Sequence, residues 1–244
     1  NGVIVVFITV KLKKLILIIA VLVVLIAAII VLLVGCGKSD TAETAVLGNT
    51  TATLVIDPGH GGIDGGAVSE SGVKESDINL AISDKMACLA DFLGVRYVKT
   101  VEADAVSGES AGYSEHENLV SRAKLVNSTE NAVLISVHQN EYPNELVKGA
   151  EVMYADTDGS RNLAESVQSL LVSQLDPENR RVFRPAPQEL LLTRSINCPG
   201  VLVECGFLSN PSEAEKLASW DYQMKIAAIL VASYMNFSAT YYNA

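Results

Sequence analysis

The chain has 244 residues, 49% of them apolar, and a formal charge of −10, which suits one globular domain with a hydrophobic core plus an appendage. Residues 1–40 hold four lysines and one aspartate, so the remainder carries 14 basic against 27 acidic side chains, a net of −13. That balance excludes nucleic acid as a partner, because binding phosphates requires a basic face.

Val3–Val10 is apolar but too short to span a bilayer. Leu15–Val34 is a run of twenty uncharged residues, about 30 Å of helix and enough to cross one. Lys11, Lys13 and Lys14 precede it, which puts the N-terminus in the cytoplasm and everything after about residue 36 outside. The end of the run, Leu33-Val34-Gly35-Cys36, resembles the lipobox of bacterial lipoproteins. Two alternatives therefore stand: an uncleaved transmembrane anchor, or a signal removed before a lipidated Cys36. Both place the remainder on the outer face of a membrane. Ser39–Thr51 is small and polar and reads as a linker. The resulting division is 1–36 anchor or signal, 37–52 linker, 53–238 folded domain and 239–244 tail.

Thr53–Asp57 is a short apolar strand. Asp77–Leu93 is a helix with Ile78, Ile82, Met86, Leu89 and Leu93 on one face, Ser76 as N-cap and Gly94 as stop. Strand Val95–Lys99, helix Glu117–Asn127, strand Ala132–Val137 and strand Gly149–Ala155 follow. Helix Ser160–Leu175 closes at Asp176-Pro177. Leu190–Thr193 and Val201–Cys205 are expected as strands and Trp220–Phe237 as the last helix. Apolar strands separated by helices predict an α/β fold, a single three-layer domain with a mostly parallel central sheet flanked by helices, preceded by an N-terminal transmembrane or signal helix. Cys198 and Cys205 are seven extended steps apart, roughly 23 Å. A disulfide needs Cα atoms about 4.4–6.8 Å apart, so both are expected as small core residues.

Ligands of such sheets collect at the carboxyl ends of the strands. His60 follows the first strand in "VIDPGHGG", a histidine set among glycines where backbone can approach closely. His138 ends a strand in "SVHQN", and Glu75 precedes the first helix of the domain in "KES". Glu204 interrupts the apolar run Val201, Leu202, Val203, Cys205, where a charge costs several kcal/mol unless paired or metal-bound. Two imidazoles and a carboxylate form the His₂Glu set of catalytic zinc sites, which keep a position open for water. A further carboxylate nearby can act as general base. His116 lies among polar residues of a helix and is expected to be solvated.

The blocks "VIDPGHGGIDGGAV", "KESDINLAISDKM", "SRAKLVNSTENAVLISVHQNE", "KGAEVMY" and "CPGVLVECGFLSNPSEAEKL", in this order over residues 53–237, resemble the zinc-dependent N-acetylmuramoyl-L-alanine amidases, the amidase_3 family, most nearly its spore-cortex type. The resemblance implies His60, Glu75 and His138 as ligands of Zn²⁺ and Glu204 as the catalytic glutamate. It implies hydrolysis, in the peptidoglycan of a bacterial wall, of the amide between N-acetylmuramic acid and the L-alanine of the stem peptide. Asn140 and Arg194 are candidate substrate contacts facing the site from strand ends, and Asp57 is a candidate for orienting His60 from behind. Two positions depart from the family pattern. Thr100-Val101 stands where members commonly have Thr-Arg, and Gln139 stands where they often have alanine, which puts a larger polar group beside the metal. Only ten residues separate His138 from Gly149, too few for the inhibitory helix some members carry there, so the site is expected to be open. The residue constellation alone also allows a zinc peptidase acting on stem peptides. A non-catalytic anchored wall-binding module would have had no reason to keep all four residues.

Overall fold

The computed structural model describes residues 51–101 and 114–242. The expected membrane segment, its lipobox-like end and nearly all of the linker lie outside the described residues. Among those described, no helix is long and apolar enough to cross a membrane. The elements run β1 (Thr53–Pro58), α1 (Glu75–Leu93), β2 (Tyr97–Lys99), α2 (Glu115–Ser128), β3 (Ala132–Asn140), β4 (Glu151–Tyr154), α3 (Ser160–Leu170), β5 (Arg184–Pro185), α4 (Leu191–Ser195), β6 (Gly200–Phe207), α5 (Pro211–Ala218) and α6 (Trp220–Tyr241).

Among the described residues six strands form one sheet in the order β2-β1-β3-β6-β4-β5. The sheet is mixed: β1 pairs in parallel with β2 and β3, β3 with β6 and β4 with β5, whereas β4 runs antiparallel to β6. Side chains alternate across it. Leu54 and Ile56 face a core shared with Ile82 and Met86 of α1, Leu163 of α3 and Leu230 of α6. Val55 and Leu134 face the other way, against Ala123 and Val126 of α2 and Leu192 of α4. Helices thus cover both faces. The inner strands β1, β3 and β6 are almost wholly buried, which is why they read as continuous apolar runs.

Two local expectations need correction. Ser76 is not the N-cap of α1. That helix starts at Glu75 after an extended Lys74 with no side-chain cap, and the loop supplies the missing acceptors, Ala67 O for the Glu75 N–H and Gly65 O for Ser76. Gly94 does end the helix, with a left-handed φ of 68°. Leu190–Thr193 is not a strand. Helix α4 forms there, Arg194 N–H bonding back to Leu190 O while Leu192 and Ile196 pack on the α2 side. A short apolar run carries no period that distinguishes the two structures. Helix α5 has no expected counterpart, although Asn210 caps it by accepting the Glu213 N–H and Pro211 opens it. After α3 the chain makes one π-helical turn, Leu171–Leu175, before Asp176-Pro177 stops it. Cys198 and Cys205 are buried thiols, as expected.

Candidate functional site

The carboxyl ends of β1, β3 and β6 and the N-terminus of α1 meet around a cavity of about 420 Å³ whose lining includes His60, Glu75, His138, Asn140 and Glu204. The described residues between His138 and Gly149 form no helix over it. His60 Nε2 lies 3.2 Å from Glu75 Oε2, and His138 Nδ1 lies 3.0 Å from Glu75 Oε1. One ligand atom from each of the three residues falls within 4.8 Å of the others. Two imidazoles and a carboxylate so arranged are a donor set that could hold a divalent metal.

Two glycines, Gly59 and Gly66, have a steric role at the site. A Cβ at Gly59 would collide with the His138 ring, and one at Gly66 would stand 2.5 Å from Glu75 Oε2 and 2.8 Å from His60 Cδ2. His60 itself has φ of 61°, a left-handed conformation uncommon outside glycine and concentrated at functional sites. Arg122 holds it there. This buried guanidinium donates to the carbonyls of Pro58 and His60 and to Asp57 Oδ1.

Asp57 does not orient the His60 ring. It is buried under Arg122, Ser136 and Thr100, all of which donate to it. Burial pushes its carboxyl up, but Arg122 and the two hydroxyls outweigh burial and hold it below the usual range. The ring is held instead by Asp64, whose Oδ2 lies 2.8 Å from His60 Nδ1. Arg194 is not at a strand end and does not line this cavity. It lies in α4, donates to Gln188 O and borders a separate pocket with Tyr154 and Asp156. Asn140 does line the site, its Oδ1 accepting the Glu141 N–H. His116 is exposed. Asp64, Arg122 and Asn79, whose Nδ2 donates to Glu75 Oε1, carry no expectation from the sequence. Asp64 had one local signal, an acid four residues beyond a glycine-flanked histidine.

Glu75 would be pushed up by burial, but hydrogen bonds with His138 and His60 overcome that and hold it well below the usual carboxylate range. The bond to Glu75 in turn raises His60 to about 9. Glu204 behaves oppositely. Burial raises it to about 7, with Glu75 and Glu151 adding to the rise and the two histidines opposing it, and its Oε2 is buried with no hydrogen-bond partner among the described residues. A carboxyl group poised near neutrality, with one oxygen left unused, is suited to accept and return a proton.

Residues 54–233 match the family Amidase_3, N-acetylmuramoyl-L-alanine amidase. The germination-specific N-acetylmuramoyl-L-alanine amidase of Bacillus subtilis is 35% identical over 181 residues, 72% of this chain and 75% of that one. The CwlD amidase of Clostridioides difficile, solved in complex with the GerS lipoprotein, superposes with a TM-score of 0.69 at 32% identity, covering 77% of this chain and 98% of that one. An N-acetylmuramoyl-L-alanine amidase from Clostridium difficile 630 gives 0.66 at 32% identity, covering 79% and 100%.

Proposed function

The chain belongs to the N-acetylmuramoyl-L-alanine amidases of the Amidase_3 family, and from that premise we propose that His60, Glu75 and His138 hold a zinc ion and Glu204 is the general base. The enzyme is an amidase of peptidoglycan. The observation that carries the residue roles is the convergence of all four side chains on one cavity, three as metal donors and one as a buried carboxyl with an unused oxygen. Zinc in that position supplies Lewis-acid polarisation of the amide carbonyl and a lowered pKa for water. Glu204 takes the proton of the attacking water and returns it to the amine of the departing L-alanine. Asp64 holds the His60 ring, and Arg122 holds the loop that carries it. Asn140, in the cavity lining, contacts the substrate.

The wall substrate places the reaction outside the cytoplasmic membrane. The uncharged run at residues 15–34, as an uncleaved helix or as a signal ending at lipidated Cys36, tethers the enzyme there and raises its local concentration at the wall. The likeness to the germination-specific enzyme of Bacillus subtilis supports a role in spore-cortex peptidoglycan.

The test incubates the zinc-loaded protein with purified peptidoglycan and assays newly exposed N-terminal L-alanine, beside Glu204→Gln and a chelated sample. New L-alanine amines that vanish in both controls support the reading. Appearance of a different amine would mean a peptidase acting on stem peptides, and product from the chelated sample would remove the metal from the reaction.

A further inference from the structure

Besides the His138 imidazole, Glu75 Oε1 receives two other donors, the backbone N–H of Gln139 at 3.0 Å and Asn79 Nδ2 at 3.2 Å. Asn79 is fully buried one helical turn beyond Glu75, and its Nδ2 also reaches Gly59 O at 3.0 Å. Both of those partners are acceptors only, so the asparagine must present its nitrogen to them. An asparagine amide is nearly symmetrical in shape. Turned by half a rotation it would set Oδ1 against the carboxylate and the carbonyl. The amide is kept from turning by Gln139, whose Nε2 donates to Asn79 Oδ1 at 3.0 Å. Gln139 is itself buried, 3% exposed, on β3 beside His138. The chain of donors therefore has one polarity: Gln139 to Asn79 to Glu75.

We propose that Gln139 is a positioning residue that locks the Asn79 amide and, through it, the Glu75 carboxylate in the orientation that receives a divalent cation. The proposal rests on His60, Glu75 and His138 being the metal ligands. Without the Gln139 donor, Asn79 Oδ1 is a buried acceptor with nothing to hold it, and Glu75 loses a fixed contact that supports it from behind. Outer contacts of this kind typically alter metal affinity ten- to a hundredfold.

The test measures zinc affinity of the full-length protein by competition with a chromophoric chelator, for Gln139→Met, Asn79→Ala and the double variant, with His60→Ala as reference. Gln139→Met keeps the length and removes the donor. It is expected to weaken zinc binding about tenfold or more and to have no further effect once Asn79 is alanine. The absorption spectrum of the cobalt-loaded Gln139→Met protein is expected to differ from that of the parent, a change that a contribution to folding alone would not produce. If Gln139→Met does not fold, Gln139→Ala replaces it in the same cycle. Zinc affinity within twofold of the parent, or an equal loss in both backgrounds, overturns the proposal while leaving the ligands in place. Unchanged zinc binding by His60→Ala overturns the ligand assignment and the proposal with it.

Discussion

His138 and Glu204 are direct register partners on the adjacent parallel strands β3 and β6. The imidazole proposed as a metal ligand and a buried carboxyl are thereby fixed side by side by backbone pairing rather than by loops. Glu204→Gln keeps the shape and removes the proton acceptor. Amide hydrolysis is expected to fall by about 10²–10⁴-fold with zinc content unchanged, as measured by L-alanine release and metal analysis. The same variant should alter the pH dependence of stability. In the metal-free protein the folded pKa of Glu204, about 7, lies above its unfolded value of 4.5. Its contribution is therefore full below about 4.5 and lost as pH rises through 7. Glu204→Gln removes that decline, so its stability in urea relative to the parent should improve from pH 5 to pH 8.

The strands that build this site were legible because they are buried on both faces, and a carboxylate inside one of them, Glu204, needed either an ion pair or a metal site. His60 and His138 were legible as strand-end histidines. What was not legible depends on approach in three dimensions. Arg122 sits in a helix of mostly polar sequence and looks like part of a solvated face, yet that face meets the β1 loop. Arg194 was misplaced because Leu190–Thr193 is short enough to read as either strand or helix. Asp57 was expected behind the His60 ring, but as a charge at a strand end it could pair with whatever the fold brought to it, and its partners are Arg122, Ser136 and Thr100.

Arg122→Ala should be strongly destabilising. It strands the buried Asp57 carboxylate and removes the donor to Pro58 O and His60 O, and breaking a buried pair by deleting one partner costs about 3–5 kcal/mol. Because the folded pKa of Asp57 is lowered from 3.8, its contribution holds above that value and is lost as pH falls. The deficit of Arg122→Ala should therefore shrink in acid. Removing Asp57 as well should recover part of the loss, and equilibrium unfolding of the two single variants and the double variant measures the coupling.

Asp64 and Asp57 should separate by phenotype. Asp64→Ala removes the group that holds the His60 ring, and Asp64 is partly exposed. Zinc affinity is expected to fall about ten- to a hundredfold with little change in the unfolding midpoint. Asp57→Ala should do the reverse in emphasis, lowering stability first. Equal effects of both on zinc affinity at matched stability would place Asp57 behind the His60 ring after all.

Zinc uptake should release a proton. In the metal-free site the bond to Glu75 raises His60 to about 9, so at neutral pH the ion must displace a proton from the ring it binds. Apparent zinc affinity should rise about tenfold per pH unit between pH 7 and 9 and then flatten. The metal-free fold responds to the same proton with the opposite sign. With its pKa raised from 6.5, His60 contributes fully below about 6.5, and that contribution is lost as pH rises through 9. The chelated protein should therefore lose thermal stability between pH 7 and 10 while the increment gained on adding zinc grows. Chelator competition and thermal unfolding across this range measure the two slopes. A zinc affinity that stays flat from pH 7 to 9 would mean that the His60 proton is not the one the metal displaces.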